Sequence, residues 1–129
     1  MLETGLRAEV SKRTDLEDSA SATGSGNILL LATSVVFLLM ERAAQQAVAD
    51  SLAPGETTVD AWIELRHLAP IPIGRQVQAE AELVAVDGNR LVFEVTCREG
   101  GRLVAMGRHG RAVVDRASFM NRATASSGQ

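Results

Sequence analysis

The segment that most restricts the fold is ILLLATSVVFLLM at residues 28–40, an apolar run interrupted only by Thr33 and Ser34 and ended by Glu41-Arg42. It is short of the ~20 apolar residues that a membrane-spanning helix requires, so a buried core element is the better account and no membrane association is expected. The pattern predicts a helix from about Thr33 to Asp50, stopped by Ala53-Pro54-Gly55. Val35 to Met40 leave its first half no polar face, whereas Arg42, Gln45, Gln46 and Asp50 supply one in the second. A helix that is apolar all round its first turns has to be covered on nearly every side. Thr33 or Ser34 is expected to cap its start by accepting an orphan backbone N–H.

After Gly55 the hydrophobic period changes to 2. In TTVDAWIELRHL, the residues Val59, Ala61, Ile63, Leu65 and His67 share one face, with Asp60, Trp62, Glu64 and Arg66 on the other. A bend at Ala69-Pro70-Ile71-Pro72-Ile73-Gly74 leads to a second alternating run through Val77, Ala79, Ala81, Leu83 and Ala85. The hairpin signal Asp87-Gly88-Asn89 introduces a third, with Leu91, Phe93, Val95 and Cys97 on one face. Glu99-Gly100-Gly101 then turns the chain into a fourth, from about Leu103 to Val114. Residues 5–14 read as a first, edge strand; residues 15–27, acidic, small and glycine-containing, read as a loop that could serve as a lid.

One strand, one very apolar helix and a meander of four strands make an α+β chain in which an antiparallel sheet wraps a single long central helix, the hotdog arrangement. With 129 residues, 46% of them hydrophobic, a single domain over 1–122 is expected, followed by a disordered tail at 123–129.

The net charge of -3 provides no basic surface for a phosphate backbone, so nucleic acid is not an expected partner. Arginines do gather late, at Arg90, Arg98, Arg102, Arg108 and Arg111, either as solvated strand faces or as contacts for an anionic group such as the phosphates of coenzyme A. The single cysteine, Cys97, excludes an internal disulfide, agrees with a reducing compartment, and falls where a buried small hydrophobe is expected. No basic stretch followed by an apolar run marks a signal peptide at the start, and the expected location is cytoplasmic. Two histidines and one cysteine with no HxxxH or CxxC spacing predict no metal site. GxSxG, GxxxxGK[ST] and GxGxxG patterns are absent as well, and no cofactor is expected.

Three residues stand out. His67 occupies the inward phase of its strand, which suits either a satisfied core histidine or a general base titrating near neutrality. Glu41 is the first charge after the apolar run, in helical register with Phe37, Ala44 and Val48, yet it borders the polar face through Gln45. It suits a solvated carboxylate or, if buried beside His67, a group that orients the imidazole or acts as a base through water. Thr33 suits a cap, or a hydroxyl that with the helix N-terminus meets a carbonyl oxygen as charge develops on it. His109, alternating with Arg111, is expected to be structural or at a rim rather than catalytic.

From about Gly24 to Phe119 the chain resembles the hotdog thioesterases related to fluoroacetyl-CoA thioesterase, through LLATSVVFLLMERAA at 30–44, LAPGETTVDAWIELRHLAPIPIG at 52–74, VDGNRLVFEV at 86–95 and GRHGRAVVD at 107–115. The resemblance implies hydrolysis of an acyl-CoA thioester by a catalytic group of Thr33, Glu41 and His67. It implies dimers, which could pair into tetramers, with sites near the subunit interface. Ser34, Asp60 and Gly74 are the expected substrate-binding positions, and coenzyme A enters only as part of the substrate. Two departures stand against it. The family usually has glycine, whose backbone lies close to the substrate carbonyl, where this chain has Asp60, and residues 1–27 contain no Phe, Trp or Tyr to match the aromatic lid tied to fluoroacetyl selectivity. Fluoroacetyl-CoA is therefore not the expected substrate. Two other readings stay open: a noncatalytic acyl-CoA-binding protein, and a thioesterase acting on acyl groups held by a carrier protein.

Overall fold

The computed structural model describes residues 2–127. Five antiparallel strands, β1 (Arg7–Arg13), β2 (Glu56–His67), β3 (Gln76–Asp87), β4 (Arg90–Glu99) and β5 (Arg102–Asp115), form one sheet in the order β1-β3-β4-β5-β2. A short helix α1 (Ala20–Thr23) precedes the long helix α2 (Thr33–Ala49), and α3 (Arg116–Ser127) ends the chain. The predicted loop at 15–27 is more ordered than expected, with a 3-10 turn at Leu16–Asp18 closed by a capping box between Asp15 and Asp18. Likewise the tail expected to be disordered is helical up to Ser127, while 128–129 lie outside the described residues.

Helix α2 lies across one face of the sheet, as its sequence demands. Val36, Leu39, Met40, Ala43, Ala44, Ala47 and Val48 are its buried residues, spaced at three and four. They meet Val77, Ala79, Ala81 and Leu83 of β3 and Leu91, Phe93, Val95 and Cys97 of β4, all buried in one core. Each large side chain here contributes about 1.5–3 kcal/mol relative to exposure. The small residues Ala79, Ala81, Ala43 and Ala44 let the helix approach the sheet closely.

β1 is an edge strand, as expected, but the four-strand meander is not. Only β3, β4 and β5 follow one another, and β2 pairs with β5 at the far edge. The reason is the connection after β2. Pro70 and Pro72 have no N–H to give a hairpin ladder, and the segment instead binds the approach to α2, through Leu31 N–H donating to the Ile71 carbonyl at 2.8 Å. The tight turns are simpler: between β4 and β5, Gly100 (φ 56°) and Gly101 (φ 86°) both take the left-handed conformation that a two-residue hairpin favours.

Candidate functional site

The two central candidates from the sequence do meet. Thr33 Oγ1 and His67 Nδ1 are 2.9 Å apart, joining the first turn of α2 to the last residue of β2. The expected capping role is not what Thr33 performs. The N-cap is Ala32, with no side-chain cap at all, because the Thr33 hydroxyl is turned to the imidazole instead of to its own helix. Ser34 follows it, exposed, in the same uncapped first turn. His67 Nε2 is buried without a hydrogen-bond partner. Burial lowers the His67 pKa, against a smaller opposite pull from the Ala69 backbone, so the ring is neutral at pH 7.

Beside this pair lies a cleft of about 280 Å³ lined by Ile28, Leu30, Leu31, His67, Leu68 and Pro70, with Ala20 of α1 at its border. The segment expected as a lid is therefore at the site. It is pinned there by Ala20 N–H donating to the Leu30 carbonyl at 2.8 Å and by Lys12 against the buried Asp18 carboxylate at 2.9 Å.

Glu41 goes elsewhere. It is half-buried against Asp60, with which it shares a carboxyl hydrogen bond, and among the described residues no hydrogen bond or ion pair joins it to His67. Helical rise puts it about 12 Å along α2 from Thr33. Asp60 and His67 stand seven positions apart on β2, about 23 Å of strand. One chain thus carries two polar centres, Thr33–His67 at one end of the α2–β2 contact and Glu41–Asp60 at the other.

The second centre exists because of an irregularity that simple alternation conceals. Pairing of β2 with β5 shifts register between Asp60 and Trp62, leaving Ala61 as a bulge. Beyond it Ile63, Leu65 and His67 keep the inward phase predicted for them, but before it the phase reverses, and Thr58 and Asp60 face the helix. The expectation that Asp60 shares the outer face of Trp62 is thereby corrected.

Asp60 is held from β5 by Arg111, which the sequence marked only as a solvated or anion-binding arginine, and Arg111 is backed by His109, which the sequence read as structural or at a rim. Arg111, 3% exposed, donates to the Asp60 carboxylate, to Thr58 Oγ1 at 2.8 Å, to the Thr58 carbonyl at 3.0 Å and toward His109 Nε2 at 3.2 Å. His109 is fully buried, its Nδ1 donating to the Trp62 carbonyl at 2.8 Å, and Phe37 of α2 meets its ring edge-on at 5.5 Å. Because the Trp62 carbonyl can only accept, a neutral His109 leaves a lone pair on Nε2, and Arg111 bridges this nitrogen and Asp60. Burial holds the His109 pKa below its ordinary value. In the sequence, the alternation of His109 with Arg111 placed both on one face of β5.

Proton affinities in this cluster divide sharply. Desolvation raises the Glu41 pKa to about 7, reinforced by the hydrogen bond and charge of Asp60 and partly offset by Arg111. Burial pushes Asp60 the same way, but the hydrogen bond from Glu41 and the charge of Arg111 outweigh it and hold Asp60 below the usual range. Between them the two carboxyls share one proton that titrates near neutral pH.

Gly74 has a backbone role: at φ 95° it turns the chain while its N–H donates to Thr14. Of the five late arginines, Arg111 is buried and the other four are exposed, with Arg98 on the Gly101 carbonyl, Arg102 on Glu99 and Arg108 on Glu94. Among the described residues no group of three or more His, Cys, Asp or Glu could hold a metal ion, and no helix is long and apolar enough to cross a membrane.

Known proteins share this framework. A phenylalanine-to-alanine mutant of the fluoroacetyl-CoA-specific thioesterase FlK superposes with a TM-score of 0.87 at 26% identity, covering 98% of each chain. A threonine-to-serine mutant of FlK in complex with acetyl-CoA gives 0.90 at 26% identity, over 97% of this chain and 98% of that one. A Thermus thermophilus member of the thioesterase superfamily, at 23% identity and TM-score 0.91 over 98% and 93% of the two chains, shares the fold. The fluoroacetyl-CoA thioesterase of Streptantibioticus cattleyicolor is 37% identical over 90 residues, 70% of this chain, and the match spans 65% of that relative's length. The family described as fluoroacetyl-CoA-specific thioesterase matches residues 15–117. Likeness across most of the chain, in sequence and in structure, settles the kinship: the chain belongs to the fluoroacetyl-CoA-specific thioesterase family.

Proposed function

We propose that the chain is an acyl-CoA thioesterase that hydrolyses a small or medium acyl thioester to the free acid and CoA, with Thr33, His67 and Glu41 at the reacting centre. The observation that carries this is the Thr33–His67 pair, whose imidazole keeps a buried Nε2 without a partner beside an apolar cleft. An unsatisfied buried nitrogen costs about 1–3 kcal/mol. A group arriving with the substrate removes that cost.

With Nδ1–H donating to Thr33, Nε2 carries the lone pair that takes a proton from an attacking water. The water oxygen bonds to the thioester carbon, the carbonyl oxygen gains charge beside the uncapped start of α2, and the carbon–sulfur bond breaks as the proton passes to the CoA sulfur. Apolar Ile28, Leu30 and Leu68 favour an apolar acyl group. The absence of Phe, Trp and Tyr from residues 1–27 argues against fluoroacetyl-CoA as that substrate. The reaction uses only side chains and water, and no further cofactor is proposed.

Glu41 cannot reach the Thr33–His67 pair along one rigid helix. A homodimer that sets Glu41 of one protomer against the partner's Thr33 and His67 completes the centre. The exposed edge strand β2, with Trp62 at 42% exposure, supports such an association, and a cytoplasmic location fits a CoA ester substrate.

Thiol release from a panel of short, branched, aryl and medium-chain acyl-CoAs tests the proposal, with Glu41→Gln and His67→Ala beside wild type. Turnover should vanish in each variant alone. Mixing the two variants should restore about a quarter of wild-type activity through heterodimers with one intact site. No turnover by folded wild type on any acyl-CoA would refute the enzyme, and no restoration on mixing would refute the shared centre.

A further inference from the structure

The Asp60 carboxylate is fixed before Glu41 meets it. The bulge at Ala61 turns it to the helix face, and buried Arg111 holds its oxygen from β5 while itself resting on the lone pair of His109 Nε2 at 3.2 Å. Phe37 seats α2 against His109, and Glu41 follows Phe37 by four residues on the same helix face, which brings its carboxyl over Asp60. We infer that Asp60 is a positioning residue for Glu41: anchored by Arg111, which His109 backs, it grips the glutamate through a shared proton and keeps Glu41 in its acid form until that proton is given up. This rests on the reading of Glu41 as part of the reacting centre, its carboxylate form assisting His67. A glycine at this position could supply no such grip.

The groups around Glu41 support the assignment. β2 contributes Asp60, and β5 contributes Arg111 and the neutral His109. β1, β3 and β4 turn apolar Ala8, Val10, Val77, Ala79, Ala81, Leu83, Leu91 and Phe93 toward α2. Of the titratable groups on that side, Lys12 is paired with Asp18, and Cys97 is a buried thiol with its pKa raised to about 11. Among the described residues, Asp60 is thus the carboxylate that shares the Glu41 proton.

Two measurements separate this inference from the thioesterase proposal. Side-chain carboxyl carbon shifts of wild type, Asp60→Asn and Asp60→Gly, followed by NMR across pH 3–9, report the pair whether or not the protein turns over. The late inflection of Glu41 near pH 7 should move to lower pH by roughly one unit in both variants. An unmoved Glu41 inflection overturns the inference. The second measurement is the pH dependence of kcat. Wild type should lose about tenfold between pH 8 and pH 6, and Asp60→Gly, if its thermal midpoint is kept, should lose severalfold less. Equal losses in the two proteins overturn it. Failure of wild type to hydrolyse any acyl-CoA while the NMR shift appears removes the enzyme reading and leaves the carboxyl pair.

Discussion

Gly107 is where strand packing and the reacting pair are most directly linked. It pairs with Leu65, two residues before His67, and a Cβ built on it would run into the Glu64 carbonyl oxygen and stand 3.0 Å from Leu65 Cα. Both obstacles are backbone of a paired strand, so no side chain can swing aside. Gly107→Ala should force β2 away from β5 by more than ~1 Å, overpacking that costs about 1–3 kcal/mol. Two ladder hydrogen bonds lost with it add about 1 kcal/mol each. The sum, about 3–5 kcal/mol, corresponds to a thermal midpoint lower by roughly 10–20 °C for a chain of this size. The same shift carries the 2.9 Å Thr33–His67 hydrogen bond past its ~3.2 Å limit, so hydrolysis should fall along with stability.

Gly110→Ala is the control. There the obstacle is the Trp62 indole, on a residue 42% exposed, which can rotate into solvent. Its loss should be under half that of Gly107→Ala and should disappear in a Trp62→Ala background. Calorimetry of wild type, the three single variants and the Gly110→Ala/Trp62→Ala double variant decides the matter. A Gly107→Ala midpoint within ~1 °C of wild type would refute the reasoning.

Two further outcomes follow from titrating groups outside the site. Cys97, fully buried with its thiol pKa raised to about 11 by burial, should not react with an aromatic disulfide reagent until urea unfolds the chain; prompt labelling of native protein would contradict its place in the core. Burial pushes the Asp18 pKa up, but the Lys12 ammonium and the Asp15 N–H outweigh it and hold the value low. Its stabilising contribution is therefore complete above the unfolded value near ~3.9 and is lost as pH falls through the lower folded value. Urea midpoints at pH 3 and pH 7 should differ less in Asp18→Asn than in wild type, and an equal difference would count against the Lys12–Asp18 anchor.

How far sequence carries depends on whether a feature is local. The apolar run before Glu41 determined α2 and its need for cover, because a helix with no polar face has no stable place in water. Period-2 alternation in Val77–Leu83 and Leu91–Cys97 determined β3 and β4 and their buried faces, since each strand records its own sides. Asp87-Gly88-Asn89 and Glu99-Gly100-Gly101 located the hairpins for the same reason. His67 pointed inward on its own strand's pattern. The relation of Thr33, Glu41 and His67 to catalysis came from resemblance.

Relations between strands were decided only on folding. That β2 crosses to the edge beyond β5 follows from where Pro70–Pro72 finds hydrogen-bond partners, and those lie in the approach to α2. The bulge at Ala61 is a property of the β2–β5 register, absent from either strand alone, and it brings Asp60 to Glu41 and to Arg111. The hydroxyl of Thr33 could cap a helix or bind an imidazole, and the choice depends on where β2 ends. Local patterns thus specify which elements form and which faces they bury. The proton shared between Glu41 and Asp60 depends on distances across elements, which packing alone sets.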